Sequence, residues 1–351
     1  MSNPSTLVQN ARSYAPGVAL CAVLAIPCWL LGQAFPVVGG PVFAILLGMI
    51  IAVAWNNQGI AKDGIKFTGK KVLQYAVILL GFGLNMMQIL QTGIASLPVI
   101  LSTIATSLIM AFALCKLLNV PGRIATLVGV GSSICGGSAI AATAPVIKAK
   151  DEEIALAISV VFLFNVVACL VFPTVGGMLG LSNDGFALWA GTAINDTSSV
   201  TAAASAWDDL HPGANALAGA TIVKLTRTLM IIPITFVLAL WTSRKQRQTA
   251  GAEQTEGGFS LKRAFPMFIF WFIVAACVTT AASAAGVDTA VFEPLKTASK
   301  YFIVMAMLAI GLNTNVVTLV KSGAKPILVG FCCWVAIALV SLGVQHIIGI
   351  W

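Results

Sequence analysis

Two segments interrupt long apolar stretches with residue types suited to binding. Gly129–Ser138 holds four glycines and three serines where a lipid-facing helix would carry Leu or Val. Glycine weakens a helix, and backbone that leaves its helix at membrane depth needs new partners from protein or a cavity. A helix broken there presents N–H groups and a positive dipole end to an anion. We predict substrate contacts from Ser132, Ser133, Cys135, Gly136, Gly137 and Ser138, with close helix packing as the alternative.

The second segment, Gly191–Thr201, is a run of polar side chains around Asp196. Asp196 is the acidic residue that we place at membrane depth, where a charge is costly and indicates function. It is the candidate site for a coupling H⁺ or Na⁺, or the counter-ion of a buried base. Asn195, Thr197 and Ser198 are predicted substrate contacts. The alternative is a wet extracellular loop, because three polar residues follow closely: Asp208, Asp209 and His211.

Lys224 and Arg227 lie three residues apart inside another apolar stretch, so they share one face of a helix. Against these two bases stands Asp196 alone, which leaves a formal charge of +1. One base therefore lacks an anionic partner, and the forked guanidinium suits sulfonate, sulfate or carboxylate. The alternative is a structural ion pair beside a Lys that extends to the membrane surface.

Two segments far apart in the chain have similar sequences. Leu80–Asn85 reads LGFGLN and Leu308–Asn313 reads LAIGLN, and a proline follows thirteen residues after each Asn. The segments are predicted to run in opposite directions, which indicates an inverted-topology repeat. A chance likeness of glycine-rich helices is the alternative. Asn85 and Asn313 are candidate substrate contacts near the repeat axis, and Asn165 is a weaker one.

Composition identifies the elements that must position these residues. Of 351 residues, 58% are hydrophobic and 9% are charged, with a mean hydropathy of +0.96, outside the range of soluble domains. We predict an all-α polytopic membrane protein with about eleven transmembrane helices. Residues 1–15 form a cytoplasmic N-terminus, 16–241 hold eight spans, 242–263 form a cytoplasmic linker, and 264–351 hold three spans.

The basic residues predict the orientation. With the N-terminus inside, fourteen Lys and Arg fall on cytoplasmic segments and four fall outside, which predicts a periplasmic C-terminus in a bacterial inner membrane. The net charge of +8 therefore lies in loops and does not indicate nucleic-acid binding. The sequence lacks a phosphate-binding loop, a C-x-x-C pair and a deep nucleophile–base set. We expect no enzyme activity, metal or cofactor.

The motifs also carry a resemblance. In this order, Gly83–Asn85, Ser132–Ala142, Gly191–Thr197 and Val223–Arg227 resemble the YeiH-type sulfate exporter family over essentially the whole chain. The chain is more distantly similar to the cation/proton antiporter and bile-acid transporter superfamily. That similarity implies broken helices crossing at the membrane centre, a core that moves against a scaffold, and a homodimer. The superfamily pairs its ion-binding acids, whereas Asp196 stands alone, which argues against sodium/proton antiport.

These readings predict a secondary active transporter that exports a small anion, namely sulfate, sulfite or an organosulfonate, by alternating access. The alternatives are a proton- or sodium-coupled organic-anion transporter, an anion channel and a membrane scaffold. One conflict stays open. The Ser132 and Asp196 segments lie on the fifth and seventh predicted spans, which run in the same direction. A re-entrant hairpin, a permuted second repeat or a miscounted span would each reconcile them with the repeat.

Overall fold

The computed structural model describes residues 4–35, 39–55, 58–230, 267–314 and 324–351, together with the isolated positions 234 and 237. The predicted linker at 242–263 lies outside these residues. The structure is 84% helix, and the described ranges contain no strand. The protein is therefore all-helical in its described part, as predicted.

The helices follow one another with short connections. A π-helical turn spans Thr68–Val72. Short 3₁₀ turns span Gly59–Ala61 and Thr289–Phe292. In chain order the helices are α1 Pro4–Ala34, α2 Gly40–Ala54, α3 Lys62–Phe67, α4 Leu73–Gly81, α5 Met86–Leu117, α6 Gly122–Ser133, α7 Gly137–Thr143, α8 Asp151–Met178, α9 Asn183–Ala193, α10 Thr197–Leu210, α11 Ala216–Leu229, α12 Met267–Ala284, α13 Glu293–Leu312 and α14 Ala324–Ile347.

Six helical segments of the described chain are long and apolar enough to cross a membrane, by length and composition. Large apolar side chains are exposed along several of them, for example Val23 on α1 and Phe112 on α5. A membrane protein with several apolar helices is thus confirmed, whereas eleven spans are not. The six segments are Ser13–Ala34, Met86–Leu117, Glu152–Met178, Met267–Ala284, Thr289–Leu312 and Ala324–Ile347.

Helices α6 and α7 form a hairpin that turns back on itself. A Cβ added to Gly131 of α6 would lie 2.8 Å from Ile140 Cδ1 of α7, whereas a straight helix would separate these positions by about 13 Å. The start of α8 lies beside the start of α6, since Glu153 Oε2 is 4.0 Å from Arg123 Nη1. The chain therefore leaves the hairpin at the end where it entered.

Helices α9 and α10 form a second hairpin. Trp207 Nε1 donates to Asn183 Oδ1 at 2.9 Å, and the Trp207 and Phe186 rings stack with centroids 4.1 Å apart. In one straight helix, positions 186 and 207 would be about 30 Å apart. A Cβ on Gly176, near the end of α8, would lie 2.7 Å from the Phe186 ring. This hairpin therefore enters from the opposite end of α8.

Helices α2 and α13 approach each other closely through two glycines. A Cβ on Gly311 would lie 2.4 Å from Ile45 O, and a Cβ on Gly48 would lie 2.4 Å from Leu308 O. Both clashes involve backbone, which cannot rotate away. Small residues allow membrane helices to pack at this distance.

We expect Gly311→Ala to lower the free energy of unfolding by about 1–3 kcal/mol, because the added methyl group would push α2 and α13 apart. Gly343→Ala on α14 is the matched control, since nothing lies within 4 Å of its added Cβ. That change should be neutral or slightly stabilising. Unfolding of the purified protein in a denaturing detergent, followed by tryptophan fluorescence, measures both. Equal effects of the two substitutions would contradict the close contact.

Candidate functional site

The tips of the two hairpins meet at Lys224, which is fully buried on α11. Lys224 Nζ donates to Ile134 O of the first tip at 2.6 Å and to Ile194 O of the second tip at 3.2 Å. A Cβ on Gly136 would lie 3.8 Å from Asp196 Cβ, so the tips are also in van der Waals reach of each other. One ammonium group therefore joins two loops that enter from opposite ends.

Arg227, one turn further along α11 and also fully buried, repeats the arrangement. Its Nε donates to Ser133 O at 2.8 Å and its Nη2 to Ser132 O at 2.9 Å. Longer contacts of 3.4 Å reach Ile194 O and Asn195 Oδ1. The guanidinium fork thus holds the end of α6 and touches the second tip.

These contacts have a common physical cause. The last carbonyl groups of a helix lack partners within it and carry a partial negative charge. Helices α6 and α9 both end at the tips, at the buried residues Ser133 and Ala193. The two bases supply the missing donors. The described ion pairs are Arg123–Glu153 and Lys296–Glu293, so neither base pairs with Asp196 within 4.0 Å.

Asp196 instead begins α10. Its carboxylate accepts a hydrogen bond from Ser198 N at 3.0 Å and another from Ser198 Oγ. A carboxylate at this position satisfies free N–H groups and the positive end of the helix. Thr197 is half-buried and Ser198 is buried. The predicted acid therefore lies at the tip, beside the bases but bonded to its own helix.

Asn195 leaves one donor free at the junction. Its backbone N–H donates to Asn165 Oδ1 at 3.0 Å, which ties the second tip to the middle of α8. Its side-chain Nδ2 is buried and has no hydrogen-bond partner among the residues that the structure describes. An unsatisfied buried donor costs about 1–3 kcal/mol. The amide therefore has unused binding capacity at the point where the tips meet.

The remaining residues of the first tip divide by exposure. Ser132 and Ser133 are buried, and Ser133 Oγ donates to Val130 O at 2.9 Å. Cys135 is buried, Gly137 is half-buried and Ser138 is exposed. Gly136 has a φ of +68°, a backbone conformation that residues other than glycine rarely adopt, and it lies in the turn between α6 and α7.

Asn85 and Asn313 are not brought to the tips. Asn85 is exposed and caps α5, where its Oδ1 accepts from Gln88 N at 2.7 Å. Asn313 is exposed at the end of α13 and donates from Nδ2 to Ala309 O at 3.0 Å. The repeated motif therefore marks a helix end in both places.

The sequence does not indicate Ile134 and Ile194 as site residues, because they contribute backbone carbonyl oxygens rather than side chains. Each follows directly after the helix that ends at its tip, α6 or α9. The only available signal was their position between small and polar residues. Asn165 is a weaker candidate from the sequence alone, and its hydrogen bond to the second tip includes it in the site.

Comparison with known proteins adds a family to this geometry. A family model described as conserved hypothetical protein 698 matches residues 16–330, which include both hairpins and α11. The chain belongs to this family. It is 59% identical over 336 residues to a UPF0324 membrane protein of Streptococcus pyogenes serotype M6, covering 96% of this chain and 98% of that protein. A UPF0324 membrane protein of Fusobacterium nucleatum is 58% identical over 346 residues, covering 95% and 98%.

We expect Arg227→Met to lower the free energy of unfolding by about 3 kcal/mol, because it leaves the carbonyl groups of α6 buried without donors. Arg227→Lys keeps the charge and loses the fork, so its effect should be intermediate. Arg123→Met is the matched control at the exposed end of α6, where the ion pair is long. Detergent unfolding measures all three variants. If Arg227→Met is no more harmful than Arg123→Met, the capping role is wrong.

Proposed function

We propose that the protein is a secondary active transporter of a small anion, which is sulfate, sulfite or an organosulfonate. It works by alternating access, with export as its direction, and performs no enzymatic reaction. One observation carries the proposal: two hairpins enter from opposite ends and meet at two buried bases. Interrupted helices that meet in the middle of a membrane protein are typical of the binding sites of secondary transporters.

The charge of the junction supports an anionic substrate. The carboxyl ends of α6 and α9 and the amino ends of α7 and α10 all lie there, so their partial charges of about 0.5 each cancel. Lys224 and Arg227 outnumber Asp196, which leaves +1. An anion would neutralise this excess, and the free Asn195 Nδ2 would donate to it. The exposed or half-buried polar groups of the tips, such as Ser138 and Thr197, would complete its coordination.

Asp196 supplies a way to couple the anion to a proton. Protonation of its carboxylate would raise the charge of the junction from +1 to +2 and favour the anion. By linkage, the anion would favour the proton equally. Proton coupling is therefore the form of ion coupling that the charges favour, with Na⁺ as the alternative ion. Sodium dependence of flux would instead support the second candidate, a sodium-coupled organic-anion transporter.

We further propose that the hairpins are re-entrant, so that the fifth and seventh apolar segments do not cross the membrane. Nine crossings then remain, and the N-terminus stays cytoplasmic and the C-terminus periplasmic. Lys148 and Lys150 move to the cytoplasmic side, which changes the basic residues from fourteen against four to sixteen against two. This distribution fits the charge rule better. Hairpins from opposite sides also satisfy an inverted repeat.

Thiol labelling in intact cells tests this topology. Arg123→Cys and Lys150→Cys should both be protected from a membrane-impermeant reagent, because both positions would be cytoplasmic. His211→Cys should react and serves as the periplasmic control. The native protein, with its eight cysteines, gives the background. Labelling of Lys150→Cys without labelling of Arg123→Cys would show that the fifth segment crosses.

Flux in proteoliposomes tests the transport proposal. We expect saturable uptake and counterflow of labelled sulfite or sulfate. Uptake should be faster when the side of the membrane that contains the labelled anion is acidic. Asn195→Ala should raise KM roughly tenfold through the lost donor, while Asn85→Ala, at a distant helix end, should not. Asp196→Asn should remove the dependence on pH. Unsaturable flux without counterflow would indicate a channel, and an unchanged KM in Asn195→Ala would refute the assigned site.

A further inference from the structure

Two cavities lie side by side where α10 ends, at the end of the molecule opposite Arg123. The first has a volume of about 210 Å³ and lies between the start of α11, the α4–α5 turn and α13. The second has a volume of about 300 Å³ and lies between the end of α1, the start of α2, α10 and α13. Thr297 and Lys300 of α13 line both. We call the two cavities together the vestibule.

Most charged groups of the vestibule already have close partners. Glu293 Oε1 accepts from Lys296 Nζ at 2.6 Å. The carboxylate of Asp208 accepts from Ala216 N at 2.7 Å and from Leu217 N at 3.1 Å, at the start of α11. His211, in the adjoining turn, contacts Trp207 O through Nδ1 at 3.0 Å. Each of these groups is therefore already bonded within the protein.

Lys300 and Asp209 remain. Within the described chain, neither makes a hydrogen bond within 3.5 Å or an ion pair within 4.0 Å, and both line the second cavity. Asp209 lies in the last turn of α10, beyond the buried Trp207. Burial raises the pKa of Asp209, and the charge of Lys300 opposes this shift. The vestibule therefore holds one ammonium group, that of Lys300, with cavities on both sides, and one carboxyl group that has no close partner among the described residues.

We propose that the vestibule is a second anion site, separate from the hairpin tips, in which Lys300 binds a small oxyanion and the Asp209 carboxylate competes with it. Of the three carboxylates that line the vestibule, those of Asp208 and Glu293 already accept hydrogen bonds, so Asp209 is the one that competes with a ligand for Lys300. Both cavities can hold a tetrahedral oxyanion, whose volume is well below theirs. The proposal stands on the vestibule alone and does not depend on what the tips bind.

The competition sets the direction of a pH effect. While Asp209 is ionised, its charge offsets that of Lys300. As the pH falls towards the raised pKa of Asp209, the carboxyl group takes a proton and the anion binds more tightly. The other titratable groups that line the two cavities are Asp208, Glu293 and Lys296, and His211 lies in the adjoining turn. Because several titratable groups lie close together, the role of Asp209 must be tested by substitution.

Amine labelling of the full-length protein in detergent tests the site. Reductive methylation is quantified for each lysine by mass spectrometry, in sodium sulfate and in sodium gluconate of equal ionic strength. Sulfate should slow the labelling of Lys300 at least threefold. Lys296, in the same cavity but paired with Glu293, is the internal control and should change little. Equal labelling of Lys300 in both salts, or equal protection of both lysines, would overturn the proposal.

Asp209→Asn, which keeps the shape of the side chain, tests the competition. At pH 7.5 this variant should need about threefold less sulfate for half-protection of Lys300. Its protection should also lose most of the dependence on pH that the native protein shows. An unchanged midpoint would refute the role of Asp209. If sulfate protects Lys300 but is not transported, only the transport proposal is overturned. If sulfate is transported but does not protect Lys300, only the vestibule site is overturned.

Discussion

The contact between two buried bases and the carbonyl ends of two helices is the interaction on which this structure depends. A helix that stops inside a membrane protein leaves several carbonyl groups that need donors from the protein or a cavity. Lys224 and Arg227 supply those donors to α6 and α9 together. Without them, the carbonyl groups at both chain reversals would be buried without these donors.

Because of this contact, the two hairpins meet near the middle of α8, away from both of its ends. Each hairpin keeps its two arms at one end of α8, while its tip lies near Asn165 in the middle of that helix. The tips share two cations on α11, so a displacement of α11 acts on both at once. The close pair α2 and α13, held backbone to backbone at Gly48 and Gly311, supplies a rigid neighbour for α10.

The sequence predicts which residues form this site better than it predicts how the chain runs through it. Apolar composition predicts the membrane helices, and the glycine–serine and Asn-Asp-Thr segments predict the breaks that are present. Lys224 and Arg227 are predicted to lie deep on one helix face, and both are buried on α11. An apolar segment has the same composition whether it runs straight or turns back on itself. Only contacts such as that of Trp207 with Asn183 show which of the two occurs. Carbonyl acceptors such as Ile134 O have no side-chain signature at all.

The distance along the chain between the bases and the first tip has a consequence for biosynthesis. Lys224 and Arg227 follow their carbonyl partners in α6 and its tip by 90 to 95 residues. The first hairpin therefore leaves the ribosome long before its stabilising cations exist. During that interval the nascent segment must stay in the aqueous insertion machinery or at the membrane surface. Assembly of the first half thus waits for the second, and a chain truncated before α11 should be recognised by quality-control proteases.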